Sequence, residues 1–418
     1  MPALPEISPA ATLYMRRPLV ALFACASGLS VANIYYAQPL LDAFGAEFSM
    51  DPAAVGGIMT ATQVGCALAL LSLVPLGDRM DRRRLMLMQL AGLVVALVGV
   101  GMVTSVTALL IGMLALGLLA TAMTQGLIAY AATAAAPAQR GQVVGSAQGG
   151  VVMGLLLGRV LAGGIADLAG WRMVYFCAAA VMLVAGATLW RLLPRQAPPA
   201  GRLSYAQLLL SMCTLLRHER VLQIRGVLAM LLFAAFNVLW TVLVLLLSAP
   251  PYALSHAQIG AFGLVGAAGA LGAARAGAWA DRGLGQWTSG LALILLLASW
   301  LPLSLAPHSL WWLVIGIVAL DLGGQAIHVT NQGMIFSTQP QAHSRLVGCY
   351  MLFYAVGSGL GAIGATAAWS AWGWPGVCLL GAGISALALT FWALTLKYMP
   401  QTGGARHPAL IQAENGSA

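Results

Sequence analysis

Two charged residues lie within apolar stretches that are long enough to cross a membrane. Asp321 occurs in the run ALDLGGQAIHVTNQ, and Arg159 occurs in GGVVMGLLLGRVLAGG. A carboxyl group at such a depth can gain and lose a proton as its surroundings change, whereas a guanidinium group keeps its charge and binds carboxylates or backbone carbonyls. Because an ionisable group inside a membrane is costly, both residues are candidates for a functional site.

Helical spacing places further polar groups beside Asp321. Gln325 and His328 follow it at i+4 and i+7, so the three side chains share one face of a helix. Asp321 would lie about 18 Å from the outer end of its span, close to the midplane. We therefore expect this face to point into a cavity, with Asp321 carrying a coupling proton and His328 relaying that proton or binding substrate.

Each of these residues also has a structural interpretation. Asp321 can be a carboxyl that bonds a neighbouring helix, and His328 can be an interior histidine, because no metal-like spacing surrounds it. Arg159 can hold backbone carbonyls or a carboxylate, with Asp321 as one candidate partner.

Composition restricts the class of protein. The chain has 418 residues, of which 60% are hydrophobic and only 7% are charged, and it contains 49 glycines. These values exclude an ordinary soluble domain and indicate a polytopic membrane protein. The net charge of +9 does not indicate a nucleic-acid partner, because the basic residues are scattered singly beside apolar runs. The six cysteines lie in or beside apolar segments without metal-like spacing, so we expect no disulfide, cofactor or metal.

The sequence repeats itself. The charged stretch GDRMDRRR at 77–84 returns, weakened, as GAWADRG at 277–283. Sliding the chain against itself by 203 positions superposes landmark residues, which indicates two similar halves. The superposed pairs are Asp78 with Asp281, Pro137 with Pro340, Gly145 with Gly348, Gly154 with Gly357, Gly158 with Gly361 and Trp171 with Trp374.

Both charged stretches resemble the loop motif of the major facilitator superfamily, which reads roughly G-x-L-A-D-R-x-G-R-R. The second copy fits well, whereas Val74 and Asp81 replace the two glycines in the first copy. The resemblance covers residues 18–397 and implies an all-α polytopic membrane protein, with twelve transmembrane helices in two pseudo-symmetric six-helix bundles. It also implies a conformational gate at the two loops, formed by Asp78, Arg79, Arg82, Arg83, Asp281 and Arg282.

Hydropathy divides the chain in the way that this family implies. We predict a cytoplasmic N-terminal segment at 1–17, a first six-helix bundle at 18–193, a cytoplasmic linker with an interfacial helix at 194–221, a second bundle at 222–397 and a disordered cytoplasmic tail at 398–418. The predicted spans are 18–44, 52–75, 85–104, 107–133, 143–167, 171–193, 222–247, 257–279, 287–306, 309–336, 346–370 and 374–397.

The basic residues predict the orientation of these spans. Of the 20 arginines and lysines, all except Arg159 and Arg172 are assigned to one side, and this count includes Arg225 near the start of the seventh span. By the positive-inside rule, that side is the cytoplasm and both termini lie there. The loops on the other side carry the acidic residues Asp42, Glu47, Asp51 and Asp167.

The fifth span resembles that of the drug–proton antiporters of the superfamily, which often carry G-x-x-x-G-P-x-x-G-G at this place. Three glycines match, while Leu155 replaces the proline and Arg159 replaces the last glycine. Small residues at this spacing allow close helix contact, in both halves of the chain. The glycines in question are Gly150, Gly154, Gly158, Gly357 and Gly361.

In this superfamily the first, fourth, seventh and tenth spans line a central cavity, so the resemblance places their polar side chains at the substrate site. Gln125 in the fourth span is the equivalent of His328 in the tenth. Amides and aromatic rings beside one carboxylate suit an amphipathic organic molecule, although any one ring can also serve packing. The further candidates for the substrate and proton pathway are Asn33, Tyr36, Gln38, Gln125, Asn237 and Trp240.

These features favour a monomeric secondary transporter that works by alternating access between its halves. The resemblance to bacterial drug–proton antiporters favours proton-coupled efflux of a small amphipathic compound across the inner membrane, and proton-coupled uptake is the alternative. A membrane-embedded enzyme or sensor is the alternative of another class. No nucleotide loop, metal-ligand cluster or Ser-His-Asp arrangement in the sequence supports it. We therefore expect no enzyme activity, and partners limited to lipid, protons and the substrate.

Overall fold

The fold consists of α-helices joined by short connections. The computed structural model describes residues 17–77, 79–136, 139–193, 204–336, 338 and 343–399. Most of both predicted terminal segments, the first part of the linker and Asp78 lie outside the described residues, and so does the side chain of Asp281.

Six membrane spans precede the linker. The first consists of α1 (Arg17–Tyr35) and α2 (Leu41–Glu47), and the second of α3 (Gly57–Leu71) and the short α4 (Leu73–Leu76). The other four spans are α5 (Arg82–Gly101), α6 (Val106–Ala134), α7 (Arg140–Ala169) and α8 (Trp171–Leu192).

The second set of spans follows the linker helix α9 (Tyr205–His218). It begins with α10 (Arg220–Leu247) and α11 (His256–Trp279), and its last two spans form one long element, α15 (His343–Thr395). Between them lie α12 (Gly285–Ala298), α13 (Trp300–Ser304) and α14 (Leu310–Phe336).

Ten of the described stretches are long and apolar enough to cross a membrane. The last of these is 54 residues long and contains two spans, because its helix is interrupted at Gly373. The 24-residue α11 adds one more helix of sufficient length. The predicted all-α architecture with twelve spans is therefore confirmed.

The first span differs in detail from the single helix predicted at 18–44. α1 ends at Tyr35, a short 3-10 turn follows at Gln38–Leu40, and α2 begins at Leu41. Pro39 lies in that turn, where it has no N–H group to continue an α-helical hydrogen-bond pattern. The interruption brings the Gln38 side chain into the protein interior.

The linker helix α9 buries one face and exposes another. Ser204 and Gln207 form a capping box at its start. Leu208 and Met212 are buried, whereas 68% of Leu210 is exposed. The Tyr205 hydroxyl donates to the Leu71 carbonyl at 2.9 Å, so the helix is fixed to the end of α3.

Contacts between backbone atoms hold α7 to α1. A Cβ atom added at Gly150 would collide with the Ala24 backbone, and one added at Gly154 would collide with the Gly28 carbonyl. The two helices therefore approach closely, because α7 presents no side chain at these points.

The same contact recurs in the second half of the chain. Gly357 of α15 lies against the Met230 carbonyl of α10, in the way that Gly154 lies against the Gly28 carbonyl. Since the glycines are 203 positions apart and their partners 202, the repeat in sequence is also a repeat in packing. Gly361 makes a further contact of this kind with Ala234.

Each half also ends its fifth span in the same way. Gly170 has a φ of +82° and Gly373 has a φ of +61°. This left-handed region favours glycine, and it ends α7 and interrupts α15 directly before Trp171 and Trp374. These two glycines are 203 positions apart as well, which extends the register of the repeat.

We predict that Gly154→Ala destabilises the protein by about 1–3 kcal/mol, because the new methyl group must push α1 and α7 apart. Gly149→Ala, on the same helix, is the matched control, since nothing lies within 4 Å of the methyl group that it adds. Thermal unfolding of the purified variants in detergent measures the difference. Equal melting temperatures for the two variants would show that the contact at Gly154 does not limit helix packing.

Candidate functional site

Arg159 lies at the interface between the halves. Its side chain is only 2% exposed, and its Nε–H donates to the Gln38 side-chain oxygen at 2.7 Å. The guanidinium carbon lies 4.1 Å from the ring centre of Trp240 in α10 and 5.2 Å from that of Tyr35 in α1. Stacking of this kind favours a guanidinium over an ammonium group. The Nη2 nitrogen is buried without a hydrogen-bond acceptor.

Asp321 lies on α14 and is 4% exposed. Its Oδ2 oxygen is buried without a hydrogen-bond donor. A Cβ atom added at Gly266 of α11 would lie 2.5 Å from that oxygen, so the absence of a side chain at Gly266 makes room for the carboxylate. A buried carboxylate oxygen without a donor is costly, and such positions are characteristic of functional sites.

The two charged groups lie at the same depth. Arg159 is ten residues from the end of α7 and Asp321 is eleven residues from the start of α14, which places both about 15–16 Å from the outer ends of their helices. Both lie against α11, Arg159 at Gly263 and the Asp321 carboxylate at Gly266. No ion pair joins these two residues, although the structure describes both.

Three other predicted residues contribute polar atoms near this level. Asn33 and Asn237 each donate to a carbonyl of the preceding helical turn, and their side-chain oxygens are buried without a partner. The indole N–H of Trp240 is also buried without an acceptor. The interface thus combines aromatic surface with polar groups whose hydrogen-bonding capacity is not used.

His328 already has partners in this structure. Its Nδ1 lies 2.8 Å from the Tyr350 hydroxyl, its Nε2 lies 3.3 Å from the Gln332 amide nitrogen, and its ring packs against Phe233. Gln325, one turn nearer to Asp321, is half-buried, as is Gln125 in α6.

Tyr36 points away from the interface. It lines a pocket formed wholly by the first half, between α1, α7 and α8, together with Leu161 and Val181. Tyr35, which the sequence reasoning did not select, lies at the interface instead, and its hydroxyl contacts that of Tyr354 in α15. Adjacent residues of a helix point in different directions, so only one of two neighbouring tyrosines can face the partner half. The rotation of the helix about its axis, which decides between them, becomes clear only from the structure.

Arg225 is a third charged residue inside the spans. The basic-residue count assigned it to the cytoplasmic side, but the structure buries it completely within α10. Its guanidinium donates to Ser289 at 2.7 Å, to Gln286 at 2.8 Å and to Asn331 at 3.2 Å. Because Arg225 lies inside the predicted span 222–247, its position in the sequence could have indicated that it is buried.

Two arginines of the predicted loop gate, Arg82 and Arg83, contact neighbouring helices of the first half. Arg82 donates to the carbonyls of Gly77 and Ala129, and Arg83 donates to the Trp190 carbonyl. Arg79 and Arg282 are exposed. These contacts attach the loop between α4 and α5 to the ends of α6 and α8.

The halves are joined at the span ends opposite the termini, which we call the outer ends. Asp167 of α7 accepts from the backbone N–H groups of His256 and Ala257 at the start of α11, at 3.0 and 2.8 Å. The His256 ring lies 3.1 Å from both Asp167 and Asp42. A helix N-terminus and a histidine suit a carboxylate partner, so this cluster holds α2, α7 and α11 together.

A second outer contact joins α3 to α15. The Thr60 hydroxyl donates to the Gly359 carbonyl at 2.8 Å, and the Thr366 hydroxyl donates to the Ala53 carbonyl at 2.9 Å. Hydrogen bonds between the two sets of spans, where both partners are described, occur here, at the Asp167 cluster and at Tyr35. The described interface is therefore closed at its outer end.

The architecture is that of a secondary transporter: two repeated helical sets meet around charged and polar groups near the membrane midplane. A Major Facilitator Superfamily profile matches residues 20–301. The chain belongs to the major facilitator superfamily, and it is accordingly a membrane transporter and not an enzyme.

Relatives and solved structures agree with this assignment. The chain is 42% identical over 391 residues to "Uncharacterized transporter YgaY" of Escherichia coli O157:H7, covering 93% of this chain and 96% of the relative. It is 30% identical to "Probable transporter SCO4007" of Streptomyces coelicolor, covering 88% of this chain and 84% of that protein. The fold matches a crystal structure of a bacterial homologue of the human lysosomal transporter Spinster, with a TM-score of 0.77, 14% identity and coverage of 94% of this chain and 99% of that one.

We predict that Asp167→Asn loosens the outer closure, because it removes the charge that binds the start of α11 and the His256 ring. Contacts of this kind contribute about 1 kcal/mol, which is a roughly fivefold shift in equilibrium. The measurement is labelling of Ile259→Cys, which is buried beside Arg159, by a membrane-impermeant maleimide applied to the outer side. The six native cysteines are first replaced.

Asp51→Asn is the control for this measurement, because it removes an outer carboxylate whose described hydrogen bond is to the nearby Ala53 N–H. Labelling that rises equally in both variants would reflect the loss of negative charge alone. Unchanged labelling in the Asp167 variant would mean that this cluster does not hold the outer side closed.

Proposed function

We propose that the protein is a proton-coupled exporter of a small amphipathic organic compound, and that Asp321 carries the coupling proton. The observation that carries this proposal is the carboxylate itself: it is buried at the interface between the halves, with one oxygen that has no hydrogen-bond donor. A carboxylate in that position is stabilised by a proton or by a cationic group, and the two exclude each other.

Because a proton and a cationic group cannot both bind Asp321, alternating access couples proton movement to substrate movement. When the halves open at the outer end, Asp321 gains a proton from that side. After the outer contacts at Asp167 and Thr60 close again, the site is reached from the other side, where the proton leaves and the substrate binds. Proton and substrate then move in opposite directions, because each conformational change carries only one of them.

The proposed substrate is amphipathic because of the groups beside Asp321. Trp240 and Phe236 supply apolar ring surface at the interface, and their ring centres are 6.0 Å apart. Asn33 and Asn237 supply side-chain oxygens without partners. Gln125, Gln325 and His328 complete the proposed pathway. The resemblance of the whole chain to bacterial drug–proton antiporters, including the stretches NIYYAQP and LDLGGQ, favours export over uptake.

The proposed setting is a bacterial inner membrane with both termini in the cytoplasm, where the protein acts as a monomer. The asymmetry of the basic residues supports this orientation. The outer ends then face away from the cytoplasm, and the described conformation is closed on that side. We further propose that Asp78, which is repeated at Asp281, stabilises the outward-facing conformation by binding a basic or helix-end partner on the cytoplasmic side.

We predict that Asp321→Asn abolishes uphill transport but still permits downhill exchange of substrate. The amide nearly keeps the shape of the carboxyl group and cannot exchange a proton, so the gradient no longer drives the cycle. The measurement uses proteoliposomes with an imposed pH gradient, in which internal pH reports proton movement as each compound of a substrate screen is added.

The matched control is Asp51→Asn, which makes the same carboxylate-to-amide substitution at an outer residue. It should transport like the unmodified protein. Should Asp321→Asn still accumulate substrate against its gradient with proton movement intact, the coupling site would lie elsewhere and Asp321 would be structural. Proton movement that accompanies substrate in the same direction would establish uptake by symport instead.

Orientation has its own test. A cysteine at Arg79, which is exposed in the loop after α4, should react with an impermeant maleimide only after intact cells are permeabilised. A cysteine at Asp51, which is exposed beyond α2, should react without permeabilisation. The reverse pattern would overturn the proposed orientation.

A further inference from the structure

We infer that the transported compound is a zwitterion with an apolar body, whose carboxylate binds the Arg159 guanidinium and whose ammonium group binds the Asp321 carboxylate. This inference rests on the proposed function and specifies its substrate class. It follows from the presence of two opposite charges that are buried at one depth and are not joined to each other.

Arg159 is fixed in place with one donor nitrogen left over. Gln38 accepts from Nε, and the rings of Trp240 and Tyr35 lie beside the guanidinium. Nη2 is buried and has no acceptor. A planar guanidinium held in this way matches the geometry of a carboxylate, which would supply the missing acceptor.

Asp321 has an oxygen without a hydrogen-bond donor, whereas Arg159 has a nitrogen without an acceptor. The Oδ2 atom of Asp321 is buried and lacks a donor, and it lies where a side chain at Gly266 would otherwise displace it. An ammonium group supplies three donors on a compact cation, so it fits a carboxylate with a free oxygen.

Arg159 and the Asp321 carboxylate, each with an unpaired atom, lie against the same helix. The stem of the Arg159 side chain lies against Gly263 of α11, and the Asp321 carboxylate lies against Gly266. These glycines are three residues apart, about 4.5 Å along the helix axis. Because the guanidinium and the carboxylate are close without being paired, a ligand with its own two charges a few bonds apart can contact both.

A ligand with a single charge fits the site less well. An organic anion on Arg159 would be repelled by the Asp321 carboxylate, and an organic cation on Asp321 would be repelled by the guanidinium. In a site with little water these repulsions are weakly screened. A zwitterion places each of its charges beside the opposite one, and the site is left without an unpaired charge.

The apolar body has surfaces to contact. Phe236 lies close to Gly324, one helical turn from Asp321, and its ring is next to that of Trp240. Phe233 and Tyr354 continue this ring surface, with centroids 4.0 Å apart. A side chain of aromatic or branched aliphatic type would therefore be buried while the charged end is held.

Binding of the zwitterion changes the charge of the site. An ammonium group that binds Asp321 takes the place of one proton, which leaves to the surrounding water. The carboxylate of the same zwitterion neutralises Arg159, so the net charge of the site changes from +1 to 0. Among the described titratable groups, Arg159 lies against the same helix as this carboxyl, Tyr35 adjoins Arg159 and contacts Tyr354, and His328 lies two turns further along α14.

The test uses matched sets of compounds that share one body and differ only in charge. One set is phenylalanine, phenethylamine and 3-phenylpropionate, a second is tryptophan, tryptamine and indole-3-propionate, and a third is leucine, isoamylamine and 4-methylpentanoate. Binding to the full-length protein in lipid nanodiscs is measured by calorimetry, and proton release is measured in weakly buffered solution.

We expect the zwitterion of at least one set to bind more tightly than both its amine and its acid. Arg159→Gln and Asp321→Asn should each weaken its binding roughly 10- to 100-fold, as the loss of a charge-assisted hydrogen bond does. Proton release on binding should disappear in Asp321→Asn. Arg84→Gln and Asp51→Asn make the same two substitutions at exposed residues. These control variants should bind the zwitterion like the unmodified protein.

The outcomes separate this inference from the proposed function. If no zwitterion in any set binds better than its matched amine and acid, the inference is wrong, whether or not amines drive proton movement. If a zwitterion binds through both residues but causes no proton movement in proteoliposomes, the inference stands and proton-coupled export fails. Weakening of zwitterion binding by Asp321→Asn alone would also overturn the role of Arg159.

Discussion

The position of the site depends on backbone contacts that α7 makes on two sides. Toward α1, Gly150 and Gly154 let the main chains touch, and toward α11, Gly163 lies against the His256 backbone. Gly260 of α11 in turn lies against the Arg159 carbonyl. α7 is thus held between its own half and the other one, and Arg159 is the charged residue between these contact points. In lipid, where apolar association gives little drive, such close approach is a main source of helix attraction.

Two buried arginines, Arg225 and Arg159, differ in the partners that surround their charge. Arg225 donates to three neutral side chains, and all of them belong to the second half. Arg159 has one such acceptor, Gln38, and its other contacts come from both halves. When the halves rotate against each other, the surroundings of Arg225 stay the same, while those of Arg159 must change. A conformation-dependent charge is what a transport site needs, and a constant one serves the stability of a bundle.

The sequence was sufficient for the architecture and for the two central charges, for physical reasons that act locally. Spans follow from apolar length, the repeat from glycines that packing requires, and Asp321 and Arg159 from the cost of a charge in hydrocarbon. Arg225 was missed because a basic residue near the end of a span has the same pattern whether it points to water or into a bundle. The cluster of Asp42, Asp167 and His256 was missed because its members are far apart in the sequence, and only the packing of the halves brings them together.

In the proposed function, the separation of Arg159 from Asp321 leaves this interface able to bind a ligand, which a structural ion pair would not. A direct pair would have satisfied both groups, and a ligand would then have to break it at a cost of several kcal/mol before gaining any contact. Here Gln38 and the ring of Trp240 hold the guanidinium to one side, and Gly266 gives the carboxylate its own space on the other. Because both groups retain unused hydrogen-bonding atoms, the energy that a direct pair would have gained remains available to whatever binds between them.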